Sequence, residues 1–459
     1  MTDRIVVEFE GDRAGECGLS WGQTAIWGAI QRLVPDDAVL NMSWITALED
    51  EGVSVDTPVE RITDTVRFLL TRHESLRTLV RLDPTGVPYQ VLPGSGALAV
   101  ELVDAGDEPP GEVAARMRER LTAPVFDYAT ELPMRVGMVR SGGFVTHAVF
   151  VICHLATDRG GLTPLVADVL TSLAGRPVPA PPPESAPLQP LDQARHQHSE
   201  AGHKQSAKAL RYWERHLRAA PASRFPGAPH PPRQPRYWYA ILNSPAMDKA
   251  VSLLAAREQV SSSAVLLGAA AYQLARTTGS GSAVLQLIVS NRFRPRLGAS
   301  VSPTSQDGLC VIEVGDAGFD EVVGRAMKAS MQAYLHSQCD PAGLDALLRD
   351  LTTELGHEVD VSCSFNDRRF DSQTPVTTTA TITPDEVRAA LPATTLSWQP
   401  PLERYGARYF LHVNGVPEAI ELALFADTEV LSPTEMESYL RGMELLVVDA
   451  ALATPVPAG

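Results

Sequence analysis

Apolar residues return at helical spacing in several long stretches of this chain. In "DTPVERITDTVRFLLTRHESLRT" the side chains of Val59, Ile62, Val66, Leu69 and Leu70 share one face. Thr57, Pro58 at the first helical position and Glu60 predict a capping box at the start of that helix. Further upstream, "GLSWGQTAIWGAIQRLV" spaces Trp21, Ile26, Trp27, Ile30 and Leu33 as the apolar side of an amphipathic helix. "RTLVRLDPTGVPYQVL" reads as two extended runs joined by the turn Asp83-Pro84-Thr85-Gly86. A helix in "EVAARMRERLTAP" and a strand in "PMRVGMVR" follow.

The next stretch is different in kind. The apolar strand "FVTHAVFVIC" ends abruptly in Cys153-His154, and Asp158 follows four residues after the histidine. Beyond Gly161, Leu162, Leu165, Val166, Val169, Leu170 and Leu173 resume helical spacing. The local order is therefore strand, short polar turn, helix.

"AGRPVPAPPPESAPLQP", Ala174 to Pro190, is dense in proline and predicts an extended connector. It divides the chain into an expected N-terminal domain of residues 1–175, a linker of 176–190 and a C-terminal domain of 191–459. In the second part, helices are expected in "KALRYWERHL", "MDKAVSLLAAREQ", "SAVLLGAAAYQLART" and "FDEVVGRAMKASMQAYL". Strands are expected in "RYWYAILN", in "SAVLQLIVSNRFRP", where the strand ends in the polar pair Asn291-Arg292, and near "VDVSCSFN" and "RYFLHVNGV". Ser432-Pro433-Thr434-Glu435 marks a last helix with a capping box. The Thr- and Pro-rich stretch between Asp371 and Trp398 reads as a long loop. The fold class is α/β (α+β), and the similar mixture in the two halves suggests a duplicated architecture.

Composition narrows the function only by exclusion. The net charge of −16, from 39 basic and 55 acidic residues, disfavours binding to a nucleic-acid backbone. No apolar run is long enough to span a bilayer, and "MTDRIVVEFEGD" lacks the layout of a signal peptide, so a cytoplasmic protein is expected. Cys17, Cys153, Cys310, Cys339 and Cys363 lack paired spacing, which argues against a disulfide framework and a zinc knuckle. His196, His198 and His203 have no carboxylate or cysteine at ligand spacing, so no metal is expected.

His154 and Asp158 are the leading chemical candidates. A histidine at a strand end can take a proton from an attacking amine or hydroxyl, and the aspartate can fold back to hold the turn. The same spacing also fits a hydrogen-bonded histidine and an aspartate that caps the following helix. Cys153 reads as buried packing, since neighbours on a strand face opposite ways. Arg292, Arg294 and Arg296 form a local basic cluster that is either solvated or turned toward an anionic group.

Four motifs in order, "LSWGQTAIW", "RHESLRTLV", "ICHLATDRGG" and "SNRFRPRL", resemble the condensation domains of nonribosomal peptide synthetases. Ser20, Gln23 and Trp27 match the family's S-x-A-Q-x-R-L-W. Arg72-His73-Glu74 with Leu76-Arg77-Thr78 matches R-H-E-x-L-R-T, and Cys153 to Arg159 aligns with H-H-x-x-x-D-G. The resemblance implies two chloramphenicol-acetyltransferase-like lobes in a V-shaped pseudo-dimer, with a substrate tunnel between them. It implies His154 as the catalytic histidine and Asp158 as the structural aspartate, paired across the lobes with Arg292. Arg77 would give further structural support, and Cys153, Arg159, Gly160 and Ser305 would line the tunnel.

By the same resemblance, the chain is expected to be a free-standing acyltransferase that binds no cofactor and acts as a monomer. Peptidyl or acyl carrier proteins would serve it in trans, presenting substrates on phosphopantetheine arms, with a small-molecule acceptor as an option. The alternatives are a coenzyme A-dependent O-acyltransferase of the HxxxD type and a degenerate docking platform. Three departures bear on the choice. Cys153 replaces the first histidine, Arg159 replaces the motif glycine, and "VSPTSQDGL" replaces V-G-x-F-V-N-T.

Overall fold

The computed structural model describes residues 2–54, 56–182, 184–227, 229–294, 296–369 and 382–453. Its contacts divide the chain into two compact units. One comprises Met1–Lys204 and Ser290–Gln306, the other Gln205–Val289 and Asp307–Gly459. This division differs from the one that proline content marks. The first unit continues through the proline-rich segment to Lys204, and it also recruits Ser290–Gln306 from far along the chain.

The first unit contains β1 (Thr2–Glu10), β2 (Gly15–Gly18), α1 (Trp21–Leu33), β3 (Met42–Ala47) and α2 (Val59–Arg72). It continues through β4 (Leu79–Leu82), β5 (Pro88–Leu92), β6 (Ser95–Asp104), α3 (Pro110–Thr122), β7 (Met134–Ser141) and β8 (Phe144–Ile152). It then adds α4 (Arg159–Leu173) and α5 (Pro190–Gln197). Five strands form a mixed sheet in the order β1-β6-β7-β8-β3, and β2-β5-β4 form a small sheet. The alternation of side chains along β8 builds a core on each face of the larger sheet. Phe150 and Ile152 pack with Ile62, Val66 and Leu69 of α2 and Leu165 and Val169 of α4. Val149, Val151 and Cys153 pack with Ile30 of α1 and Val113 and Met117 of α3.

The second unit contains most of α6 (Glu200–Ala219), then β9 (Tyr237–Ser244), α7 (Pro245–Glu258), α8 (Ser262–Thr278) and β10 (Ser282–Val289). After the excursion come β11 (Gln306–Glu313), α9 (Phe319–Leu335), α10 (Pro341–Leu355), β12 (Cys363–Asp367) and α11 (Pro384–Ala390). The chain closes with β13 (Thr395–Leu402), β14 (Tyr409–Val416), β15 (Ala419–Asp427) and α12 (Pro433–Leu452). Its strands make a seven-stranded sheet, β11-β10-β12-β14-β15-β9-β13. Leu242, Leu411, Leu422 and Leu424 of that sheet pack against Met247, Leu266 and Leu440 of the helices.

Two local expectations are corrected. The α2 helix begins at Val59, one residue late, and Pro58 stands at its cap without a side-chain bond. The Thr57 hydroxyl donates instead to the Ser54 carbonyl at 2.6 Å, which stabilises the preceding turn. Residues 371–381 of the expected long loop lie outside the described residues. The remainder forms regular structure in place of a loop: Thr383 and Glu386 form a capping box for α11, and β13 follows. Proline at the start of a helix and proline in an edge strand are both compatible with regular structure, which is why composition misled here.

Candidate active site

The polar turn after β8 is built by the first unit alone. His154 is partly exposed, and its Nδ1 lies 2.9 Å from the carbonyl oxygen of Thr157. A carbonyl oxygen can only accept, so Nδ1 carries the proton in the neutral ring and Nε2 keeps its lone pair. Nε2 has no hydrogen-bond partner among the described residues.

Asp158 does not touch the imidazole in this arrangement. It caps α4, its Oδ1 accepting from Gly161 N at 2.9 Å. The same oxygen accepts from Arg292 Nη2 at 2.5 Å. Its Oδ2 accepts from Thr304 N at 2.8 Å, Ser305 N at 2.9 Å and the Ser305 hydroxyl at 2.8 Å. The Thr304 hydroxyl completes the set at 3.2 Å. Asp158 is only 2% exposed. Burial by itself pushes its carboxyl up, but the Arg292 charge and these donors overcome that and hold it below the usual carboxylate range.

The strand expected to run to Asn291-Arg292 stops at Val289, and Arg292 reaches this carboxylate because Asn291, two residues past the end of β10, takes a left-handed φ of 59°. Asparagine tolerates that conformation, and its side chain donates to the Thr304 carbonyl at 3.0 Å. Arg292 also donates to the carbonyls of Leu297, Ser300 and Ser302. The expected pair therefore exists, within one compact unit, because Ser290–Gln306 belongs to the unit that carries His154. Gly160 and Gly161 are the residues that let the guanidinium come so close. A Cβ at Gly160 would overlap Arg292 Nε, and one at Gly161 would stand 2.9 Å from Arg292 Nη2.

The other expected site residues fall into place by burial. Cys153 is 2% exposed and packs in the core, and burial pushes its thiol up to about 12. Its side chain is packing, which corrects its placement along a substrate path. Arg159 is exposed and has no ion-pair partner among the described residues. Arg77 is buried and donates to the carbonyls of Leu70, Arg13 and Pro93, tying three chain segments together. Of the neighbouring basic residues, Arg296 Nε donates to the Ala186 carbonyl and so fastens the proline-rich segment.

Sequence reasoning missed several supports. Arg72 Nε and His73 Nε2 both meet Asp168 Oδ2 of α4, at 2.7 and 2.9 Å. They fix the helix that Asp158 caps. Burial pushes His73 down, against the pull of Asp168. Gln193 donates to the hydroxyls of Ser300 and Ser302 at 2.9 and 2.6 Å, holding the strand-end excursion from below. The long sequence separations of these pairs left no local pattern to read. Among the described residues, no group of three or more histidines, cysteines or carboxylates is arranged to hold a metal. No helix among them is long and apolar enough to cross a membrane.

The family model for condensation domains matches residues 21–377, a span that takes in the first motif from Trp21 onward, the other three motifs and this turn. The chain belongs to the condensation-domain family. An isonitrile lipopeptide synthase of Mycobacterium tuberculosis is 29% identical over 347 residues, covering 72% of this chain and 13% of that protein. The chain thus spans a small part of the curated relatives it matches. Among solved structures, one from work on condensation domain-mediated chain release from the enacyloxin polyketide synthase is similar with a TM-score of 0.70. It is 19% identical, and the match covers 96% of this chain and 84% of that one. The epimerization domain from the third module of tyrocidine synthetase B has a TM-score of 0.67 at 12% identity, over 96% of this chain and 98% of that one. The chain shares the condensation-domain fold, chloramphenicol-acetyltransferase-like in type, with both of these solved structures. An epimerization domain among them means that the fold alone does not decide the reaction.

Proposed function

We propose that this condensation-domain chain is an acyltransferase that joins an acyl or aminoacyl thioester to an amine or alcohol acceptor in nonribosomal peptide biosynthesis. The observation that carries the reading is the His154–Thr157 hydrogen bond, which leaves Nε2 as an available base on a partly exposed ring. In this reaction Nε2 takes the proton from the acceptor nitrogen or oxygen as that atom attacks the thioester carbonyl carbon. The carbon–sulfur bond then breaks, and the departing thiolate recovers the proton from the imidazolium. Asp158 keeps the turn in shape and exchanges no proton, because both its oxygens are engaged and its charge is held by Arg292. Carrier proteins would present the donor on a phosphopantetheine arm, and no resident cofactor takes part in these steps.

The test is product formation from an acyl-loaded carrier protein, supplied in trans, and a panel of amine and alcohol acceptors, followed by mass spectrometry. Product from the wild type and a loss of about 100-fold or more in His154→Ala support the reading. Equal product from His154→Ala, or no product from any donor, overturns it. Equal use of a free coenzyme A thioester would instead favour a coenzyme A-dependent O-acyltransferase.

A further inference from the structure

We infer that Ser305, with Thr304, is a positioning residue for His154, and that Gly22 of α1 sets where these two hydroxyl residues stand. The inference deepens the acyltransferase reading and rests on it.

The residues form one continuous line within the first unit. In α1, Ser20 and Gln23 close a capping box, which rigidifies the first turn around Gly22. A Cβ at Gly22 would overlap the carbonyl oxygen of Pro303. The family motif S-x-A-Q has alanine at this point, so the loss of that methyl and the unusual "VSPTSQ" segment are two sides of one contact. Pro303 occupies the space that the missing methyl opens. With Pro303 seated there, Thr304 N, Ser305 N and both hydroxyls point to Asp158 Oδ2.

Asp158 in turn decides where the Thr157 carbonyl stands. The two residues are adjacent, Asp158 caps α4, and Thr157 Oγ1 lies 3.2 Å from the Asp158 carbonyl oxygen. The Thr157 carbonyl is the acceptor that selects the His154 tautomer. The family segment V-G-x-F-V-N-T offers no hydroxyl where "VSPTSQDGL" offers Thr304 and Ser305. This chain therefore grips the catalytic turn with hydroxyl donors that the family pattern lacks. Ser305 is thus assigned to Asp158, and its side chain serves no substrate contact.

The test compares Ser305→Ala, Ser305→Thr and Gly22→Ala in the intact chain, each first checked for cooperative thermal unfolding. Nitrogen-15 histidine spectra, with His154→Ala used to assign the resonances, report the His154 tautomer without reference to any activity. The expected result is an Nδ1–H tautomer in the wild type, a mixture in Ser305→Ala and Gly22→Ala, and recovery in Ser305→Thr. In the condensation assay, Ser305→Ala should lose about tenfold in kcat with KM for both substrates unchanged, as for one lost bond to a charged acceptor. The double variant should be no worse than the poorer single one, since both changes act through the same contact.

An unchanged His154 spectrum in Ser305→Ala overturns the inference, as does a raised KM with kcat retained, which would make Ser305 a substrate contact. Additive losses in the double variant would overturn the assignment of Gly22. Altered spectra together with no condensation activity would leave the positioning intact and remove the acyltransferase reading, so the two failures are distinct.

Discussion

The Nδ1 of His154 and the carbonyl oxygen of Thr157 are 2.9 Å apart, and that one hydrogen bond orients the ring. The bond closes a turn of four residues, so the histidine is held by backbone and not by a carboxylate. The arrangement resolves the double meaning of the H-x-x-x-D spacing. Asp158 is a helix cap, as the structural reading holds, and it also anchors the turn that orients the His154 ring.

His154→Asn separates the two roles of the imidazole. The amide can still donate to Thr157 but offers nothing at Nε2. Condensation should fall by about 100-fold or more, while the melting temperature stays close to that of the wild type. A comparable loss of both would show that the ring is needed mainly for packing.

Asp158→Asn and Arg292→Ala each leave one buried polar group without its counter-charge. Each should cost about 3–5 kcal/mol in chemical denaturation. The pH dependence has a definite sign. The Asp158 carboxyl is held below its unfolded value, so its stabilisation is present above the ordinary aspartate range and is lost as acid protonates the folded group. In Arg292→Ala this part of the acid sensitivity should shrink.

Two neighbouring substitutions in "DRGG" should behave oppositely. Gly160→Ala forces a methyl into the Arg292 side chain and should cost about 1–3 kcal/mol. Arg159→Gly removes an exposed side chain with no ion-pair partner among the described residues, and unfolding should change by less than about 1 kcal/mol. An effect of Arg159→Gly on KM alone would show that this arginine meets a substrate group.

In the second unit, burial holds His412 down to about 3, with Arg368 adding to the effect. The folded state therefore refuses a proton that the unfolded chain accepts near pH 6.5. Stability should fall as the pH drops from about 6.5 toward 3, by up to about 1.4 kcal/mol per pH unit from this residue. Denaturation at pH 7.5 and 5.5 checks this, and His412→Phe should flatten the difference. His73, also held down by burial, supplies a separate part of the slope.

Much of the fold was legible in the chain because helices and strands are local. The apolar faces of α2 and α4, the Asp83–Gly86 turn and the Ser432–Glu435 capping box all appear where periodicity and capping residues place them. The strand-turn-helix order that carries His154 was equally readable, since β8 and α4 each announce themselves by a change of period. The start of α2 moved by one residue because Thr57 found a nearer acceptor, a competition between hydrogen bonds that spacing does not rank.

By itself, the sequence determined many of the elements, the family and the presence of His154 and Asp158 in one turn. Only the tertiary structure decided what those residues do for one another. That Arg292, 134 positions away, shares a compact unit with Asp158 depends on a left-handed Asn291 and two glycines that leave room for a guanidinium. That His154 takes its orientation from Thr157 depends on a carbonyl whose direction Asp158 sets. Such contacts join residues with no common period, and their strength comes from burial, which no stretch of sequence carries alone.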